Sequence, residues 1–214
     1  MLLTNPTFYY IIGLNNEMKK ILFLLMFPIL CFGQKPILFD SLTVSNEGIF
    51  MYNQQPFNGI AFANNKSGVL LYEKDFENGK EIKNRNYYAA ITDSTPHLKF
   101  ETQIKDGKRN GFRKGWYYSG KLKFEGHFKK GWNNGIYKNW YENGNLEKES
   151  FFEMGVKVGS CKNWSSSGKL IKDRYYQKTT PTSSKLVKRV KYLESGEIIS
   201  KECWDTEGKN ISCD

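Results

Sequence analysis

The chain of 214 residues carries 32 lysine and arginine residues against 22 aspartate and glutamate residues, a net charge of +10 at pH 7. Hydrophobic residues make up 39% of the chain and charged residues 25%, which excludes collagen, a coiled coil and a fully disordered chain. The 15 phenylalanines, 13 tyrosines and 19 glycines favour short strands and tight turns over helices.

A secretory signal peptide is predicted at residues 18–33. Its charged start, Met-Lys-Lys at 18–20, is followed by an apolar run at 21–32 and by the small residue Gly33. The run is shorter than the about 20 residues of a membrane-spanning helix. We therefore expect cleavage after Gly33 and export to the periplasm, the outer envelope or the medium. Removing residues 1–33 takes away two lysines and one glutamate, which leaves 30 basic and 21 acidic residues and a mature charge near +9.

Residues 1–17 precede the usual start of a signal peptide. We interpret Met18 as the translation start and 1–17 as a start assigned too far upstream. One alternative is a genuine extension that makes an uncleaved anchor. Another is a lipoprotein modified at Cys31, although residues 28–30 lack the small residue expected before a lipidated cysteine.

A repeat of 24 residues governs the middle of the chain, residues 50–176. Six positions recur in phase through three consecutive copies, which is the sequence signature of a repeat architecture. These positions are Gly107, Gly131 and Gly155; Gly111, Gly135 and Gly159; Trp116, Trp140 and Trp164; Gly120, Gly144 and Gly168; Leu122, Leu146 and Leu170; and Phe128, Phe152 and Tyr176.

Weaker copies flank the regular ones. Residues 59–79 keep the internal spacing, whereas the unit at 83–107 is degenerate because Thr95-Pro96 replaces its glycine turn. Residues 177–189 are predicted to be a loop that interrupts the array, and residues 190–214 a degenerate terminal repeat.

Each copy predicts a β-hairpin, because two runs with strand character flank an Asn-Gly or Ser-Gly turn. A helix is excluded because glycine recurs in every window that a helix would need. The sequence therefore predicts an all-β antiparallel meander of stacked hairpins over residues 50–176. In-phase carboxylates, Glu125, Glu149 and Asp173, are typical of a scaffold rather than of a single active site.

Two strand registers are compatible with the hairpins. A two-residue turn would pair Tyr117 with Leu122, whereas a three-residue loop with a left-handed Gly120 pairs Trp116 with Leu122. We predict the second register, which places Trp116, Leu122, Phe124 and Phe128 on one buried face. Its difficulty is a set of lysines in phase with the tryptophans, which would need to reach solvent from an edge or sit on an irregular strand. They are Lys114, Lys138 and Lys162.

The repeat resembles a known family. The phrase Lys138-Asn-Trp-Tyr-Glu-Asn-Gly-Asn-Leu146 and the phrase Phe128-Lys-Lys-Gly-Trp-Asn-Asn-Gly135 are similar to the MORN repeat. More narrowly, they resemble the bacterial variant found in YwqK-type antitoxin proteins. The resemblance implies an elongated, single-layer antiparallel sheet of stacked hairpins and no catalytic set of residues. It also implies an antitoxin-like alternative, in which the chain neutralises a partner toxin.

The candidate binding residues are aromatic and basic. In the preferred register Tyr117 and Tyr141 lie opposite the tryptophans, so we expect them to be exposed. Basic residues cluster at turns, and interleaved aromatic and basic residues suit an anionic partner. The basic candidates are Lys108, Arg109, Lys129 and Lys130. We do not expect an exported chain to bind single-stranded nucleic acid, and peripheral contact with a membrane is an alternative.

Cys203 and Cys213 lie ten residues apart around the last turn. In an exported chain this spacing predicts a disulfide that clamps the terminus, which leaves Cys161 free. No zinc spacing involves His97 or His127, and no phosphate-binding or nucleophile motif occurs. We therefore expect no cofactor, no metal and no enzymatic activity. The sequence indicates a non-enzymatic exported scaffold that binds a protein, lipid or glycan at the cell envelope, with a hydrolase as the least favoured class.

Overall fold

The computed structural model describes residues 35–89 and 95–213. The predicted signal peptide, the segment before it and Cys31 lie outside the described residues. Within them the chain forms 17 strands and one turn of 3-10 helix at Phe39–Ser41. The strands are β1 Ile37–Leu38, β2 Thr43–Val44, β3 Phe50–Tyr52, β4 Gln55–Pro56, β5 Gly59–Asn64, β6 Leu70–Glu77, β7 Lys80–Tyr87, β8 Leu98–Lys105, β9 Lys108–Trp116, β10 Leu122–Lys129, β11 Trp132–Trp140, β12 Leu146–Glu153, β13 Val156–Trp164, β14 Leu170–Thr180, β15 Ser183–Tyr192, β16 Ile198–Trp204 and β17 Asn210–Ile211.

The strands form one long sheet and one small sheet. From β5 to β17 each strand pairs antiparallel with the next one along the chain, and β1 adds in parallel beside β5. Strands β2, β3 and β4 make a separate three-stranded sheet. The predicted fold class, an all-β meander of stacked hairpins, is confirmed.

A small hydrophobic cluster lies at the start of the long sheet. Phe57, Ala61 and Phe76 are buried there, and Phe39 and Phe50 pack against them. The ring centroids of Phe50 and Phe76 are 4.9 Å apart, which links the small sheet to the long one. This cluster covers the first hairpin of the array.

The turns confirm the predicted register of the hairpins. The amide of Gly120 donates to the carbonyl of Tyr117 at 3.0 Å, and the amide of Tyr117 donates to the carbonyl of Lys121 at 2.8 Å. Gly120 has a φ of +80°, as the last residue of a three-residue hairpin loop requires. Trp116 therefore pairs with Leu122, and Trp140 and Trp164 pair with the equivalent leucines one and two repeats later.

A β-bulge next to each of these turns overturns the prediction that Trp116, Leu122, Phe124 and Phe128 share a face. The register shifts between Leu122 and Phe124, so that Phe124 lies opposite Gly115, the neighbour of Trp116. A Cβ on Gly115 would meet the Phe124 ring at 2.2 Å, which places that ring directly over the glycine. One extra residue exchanges the faces for the rest of the strand.

The two faces therefore carry different side chains. We call the face with Trp116 the tryptophan face and the face with Phe124 and Phe128 the phenylalanine face. The three in-phase tryptophans are only half-buried, whereas Phe128 is 6% exposed. The tryptophans do not form the buried ladder that the sequence suggested.

On the phenylalanine face, each strand-start glycine lies opposite an aromatic residue. Gly111 pairs with Phe128, and Gly135 pairs with Phe152. Gly111 and Gly135 have φ values of +102° and +107°, which an L side chain rarely adopts. The in-phase glycines and aromatic residues of the sequence are therefore cross-strand partners of each other.

The predicted loop at 177–189 is wrong. Strand β14 continues to Thr180 and β15 begins at Ser183, so that the turn consists of Pro181 and Thr182 alone. The segment suggested a loop because it interrupts the repeat pattern, but in the structure its residues belong to a hairpin whose tip is exposed. The array is thus continuous from β5 to β17.

We expect Phe128→Ala to lower the free energy of unfolding by about 3 kcal/mol or more, because it empties a buried aromatic site. Trp132→Ala is the matched control, since that ring lies nearby and is 60% exposed. Urea denaturation of both variants measures the difference. A larger loss for Trp132→Ala would contradict the assignment of the faces.

Candidate functional site

At one end of the strands of the long sheet, two-residue turns connect β6 to β7, β8 to β9, β10 to β11 and β12 to β13. Their first residues, Asn78, Asp106, Lys130 and Met154, have φ values between +46° and +51°, and a glycine with positive φ follows each of them. Two consecutive residues with positive φ define the type I′ turn, which matches the twist of the hairpin strands. We call this the two-residue-turn edge.

Lysine side chains surround a cleft of about 570 Å³ at this edge. Lys105, Lys108, Lys129 and Lys130 line it, and all four lysines are exposed. Lys105 lies directly opposite Lys108 in the β8–β9 hairpin, so that two like charges face each other. The lining also includes one carboxylate, Asp106.

Side-chain contacts fix the shape of the cleft. The Oδ1 atom of Asn110 accepts from the amide of Lys130 at 3.3 Å, and the amide of Gly131 donates to the carbonyl of Arg109 at 2.8 Å. The guanidinium of Arg109 lies 4.5 Å from the centroid of the Phe128 ring and donates to the carbonyl of Gly131 at 3.3 Å. Each turn is thus held by the preceding hairpin. Among the basic candidates, Arg109 is the one whose side chain takes part in these contacts.

The two tyrosine candidates lie at the other edge, where the three-residue loops are. They are half-buried rather than exposed. The hydroxyl of Tyr117 donates to the carbonyl of Trp140 at 2.7 Å, and that of Tyr141 donates to the carbonyl of Trp164 at 2.9 Å. Burial, followed by the nearby carboxylates Glu147 and Glu142, raises the pKa of Tyr117. These tyrosines connect successive hairpins and do not join the basic cluster.

The two groups of candidates are therefore separated by the length of a strand. A strand of eight residues such as β10 spans roughly 25 Å. A single small ligand does not reach both edges. The aromatic and basic residues that the sequence grouped together belong to two different surfaces.

A row of alternating charges crosses the tryptophan face, one residue from each strand from β6 to β14. Adjacent members lie directly opposite each other in the register, and the sign of the charge alternates throughout. The members are Glu73, Arg85, Glu101, Lys114, Glu125, Lys138, Glu149, Lys162 and Asp173. This row answers the difficulty of the in-phase lysines, because each of them lies between two carboxylates.

Several neighbours in the row make ion pairs. The distances from nitrogen to oxygen are 2.8 Å for Arg85 and Glu73, 3.7 Å for Lys114 and Glu125, and 3.4 Å for Lys138 and Glu149. Opposite charges at directly opposed positions stabilise a sheet by roughly 0.2–1 kcal/mol per pair. The row is therefore close to neutral in charge, although the chain is strongly basic.

The described cysteines form one disulfide and leave one free thiol. Cys203 and Cys213 form a disulfide with their Cα atoms 5.4 Å apart. Cys161 is free and 1% exposed, and it lies opposite Ser150 on the phenylalanine face.

No group of three or more His, Cys, Asp or Glu residues in 35–89 and 95–213 has an arrangement that could hold a metal ion. No helix in the same ranges combines the length and apolar character needed to cross a bilayer.

Comparison with protein families identifies MORN repeats in the chain. The MORN repeat variant matches residues 109–130 and 133–154, which correspond to the hairpins around β9–β10 and β11–β12. A comparison with curated proteins found no match. MORN repeats and an all-β repeat fold are features of a scaffold or binding module. The matched segments contain Arg109, Lys129, Lys130 and both tyrosine candidates. They do not contain Lys105 and Lys108.

We expect Tyr141→Phe to lower the free energy of unfolding by about 1 kcal/mol, because it leaves the carbonyl of Trp164 without its hydroxyl donor. Tyr175→Phe is the control, since this side chain is 50% exposed. Urea denaturation distinguishes the two variants. Equal, negligible losses in both variants would show that the hydrogen bond of Tyr141 contributes no stability, and would leave its hydroxyl as a candidate for binding a partner.

Proposed function

We propose that this chain is an exported, non-enzymatic repeat scaffold that binds an anionic partner at the cell envelope through its two-residue-turn edge. One observation carries the proposal. Lys105, Lys108, Lys129 and Lys130 converge on one cleft, and none of them makes an ion pair with a described residue. The opposed lysines cost stability when the cleft is empty, and an anion would offset that cost.

The contrast with the tryptophan face supports the choice of this edge. There, lysines alternate with carboxylates, so their charge is balanced within the sheet. At the two-residue-turn edge the lysines of neighbouring hairpins lie side by side, and the turns that carry them are pinned by Asn110 and Arg109. A fixed set of exposed positive charges suits the phosphates of anionic lipid, since each lysine near such a surface contributes about 1 kcal/mol.

Two features support export. Residues 18–33 have the pattern of a signal peptide. The disulfide between Cys203 and Cys213 is also typical of oxidising compartments, because disulfides are rare in the cytosol. Both agree with a partner at the envelope.

The test is sedimentation with vesicles of phosphatidylglycerol or of phosphatidylcholine. We expect binding to phosphatidylglycerol alone, and a sharp loss of binding between about 0.05 M and about 0.5 M salt, because salt screens exposed charges. The variant Lys108→Gln/Lys129→Gln/Lys130→Gln should bind roughly a hundredfold more weakly, from about 1 kcal/mol per lysine.

A matched control removes the same number of charges elsewhere. Lys185, Lys188 and Lys209 are exposed and lie on later strands or turns. Their triple change to Gln should weaken binding much less. If both variants lose affinity equally, net charge rather than this edge drives binding. Capture of one protein that persists in high salt, with no vesicle binding, would support the antitoxin-like alternative instead.

A further inference from the structure

The phenylalanine face carries a surplus of positive charge on strands β12 to β14. On β12, β13 and β14 the cationic residues of this face are Lys148, Lys157, Lys172 and Arg174, and on β15 they are Arg189 and Lys191. Lys172 lies directly opposite Lys191, and Arg174 lies directly opposite Arg189. Of these residues, Arg189 also forms an ion pair with Glu202 of β16 at 3.4 Å. Like charges at directly opposed positions destabilise a sheet.

The carboxylates of the same strands do not reach this face. Strands β11 to β15 contain four of them, and Glu149, Glu153 and Asp173 lie on the tryptophan face by their register. The fourth, Glu147, lies at the bulge beside the three-residue loop. The same strands therefore pair their charges on one face and leave only cations on the other.

Two of these cations, Lys157 and Arg174, lie near Lys148 and disfavour its charged form. Burial, followed by the charges of Lys157 and Arg174, lowers the pKa of Lys148, while Cys161 and Glu147 act more weakly in the opposite direction. The Lys157 ammonium lies 5.7 Å from the centroid of the Tyr176 ring, which keeps it on the phenylalanine face. All three cationic side chains are half-buried. We call Lys148, Lys157 and Arg174 the cation cluster.

Unsatisfied hydrogen-bonding atoms lie within the cluster. The Oγ atom of Ser150 is buried without a hydrogen-bond partner, and the residue is 1% exposed. The Nε atom of Arg174 is also buried without a partner, although a terminal nitrogen of the same guanidinium donates to Oδ1 of Asn163 at 2.7 Å. Ser150 lies opposite Cys161, which lies opposite Arg174, so these atoms belong to neighbouring positions on one face. Buried donors without acceptors are rare in folded proteins.

We propose that the cation cluster binds a phosphate group, either free or carried by a larger molecule. The oxygens of a phosphate would accept from the ammonium groups of Lys148 and Lys157, from Nε of Arg174 and from the hydroxyl of Ser150. A tetrahedral dianion supplies enough acceptors for several donors and balances the charge of this face. The site is separate from the two-residue-turn edge, and it does not depend on the partner proposed for that edge.

The test is an NMR titration of the chain, labelled with nitrogen-15, with inorganic phosphate and separately with phosphatidylglycerol vesicles. We expect saturable shifts of the amides of Ser150, Cys161 and Arg174. Shifts with inorganic phosphate indicate a site for the free anion, and shifts with vesicles alone indicate a phosphate borne by lipid. No saturable change at these amides in either titration would overturn the proposal, as would changes confined to residues 105–131.

Matched variants separate the cluster from the rest of the chain. Lys148→Gln and Lys157→Gln should each weaken phosphate binding about tenfold, the value of one charge-assisted hydrogen bond. Lys162→Gln is the control, because Lys162 lies on the same strand as Lys157 but on the tryptophan face. The edge variant Lys108→Gln/Lys129→Gln/Lys130→Gln should bind phosphate at the cluster as the unaltered chain does. Equal losses in the cluster variants and in the control would contradict the site. If a cluster variant fails to fold, the titration of the unaltered chain still decides.

Discussion

The long sheet is a single layer over most of its length, so its strands are stabilised mainly by their neighbours within the sheet. In the described residues, three of the seven buried hydrophobic side chains belong to the cluster at the start of the sheet, namely Phe57, Ala61 and Phe76. Elsewhere in residues 35–89 and 95–213, no helix or second sheet packs against the long sheet. Strand register is therefore the constraint on which the rest of the structure depends, since a slip of one residue would exchange the two faces.

The register also distributes charge, and this distribution carries the functional argument. From β6 to β14 the row of alternating charges on the tryptophan face places each of its cations between carboxylates, so the surplus charge of the row is small. Surplus positive charge lies at the two-residue-turn edge and on the phenylalanine face. At both places one lysine lies directly opposite another, as Lys105 does opposite Lys108 and Lys172 opposite Lys191. A scaffold built in this way offers positive charge at fixed positions without a catalytic centre.

The spacing of the repeat was sufficient to predict the hairpins. The pairing of Trp116 with Leu122 was preferred because it would bury both on one face with Phe124 and Phe128, and the structure has the pairing but not that common face. The faces beyond the turn could not be predicted in this way. The bulge after Leu122 adds one residue whose position depends on main-chain pairing, and it moves Phe124 to the other face. The cation cluster was missed for the same reason, since Lys148 and Arg174 share a face only once the bulges are known. The hydroxyl contact of Tyr117 with the next repeat likewise has no signal in a single hairpin.

The most direct test of the register is a charge-exchange cycle on Lys138 and Glu149, whose side chains pair at 3.4 Å. Urea denaturation would compare Lys138→Glu, Glu149→Lys and the double exchange with the unaltered chain. If the two residues face each other as described, each single change places like charges together. The loss of unfolding free energy in the double exchange should then be smaller than the sum of the two single losses by roughly 0.5 kcal/mol or more. Strict additivity of the two losses would show that the residues do not face each other, and would contradict the assignment of both faces.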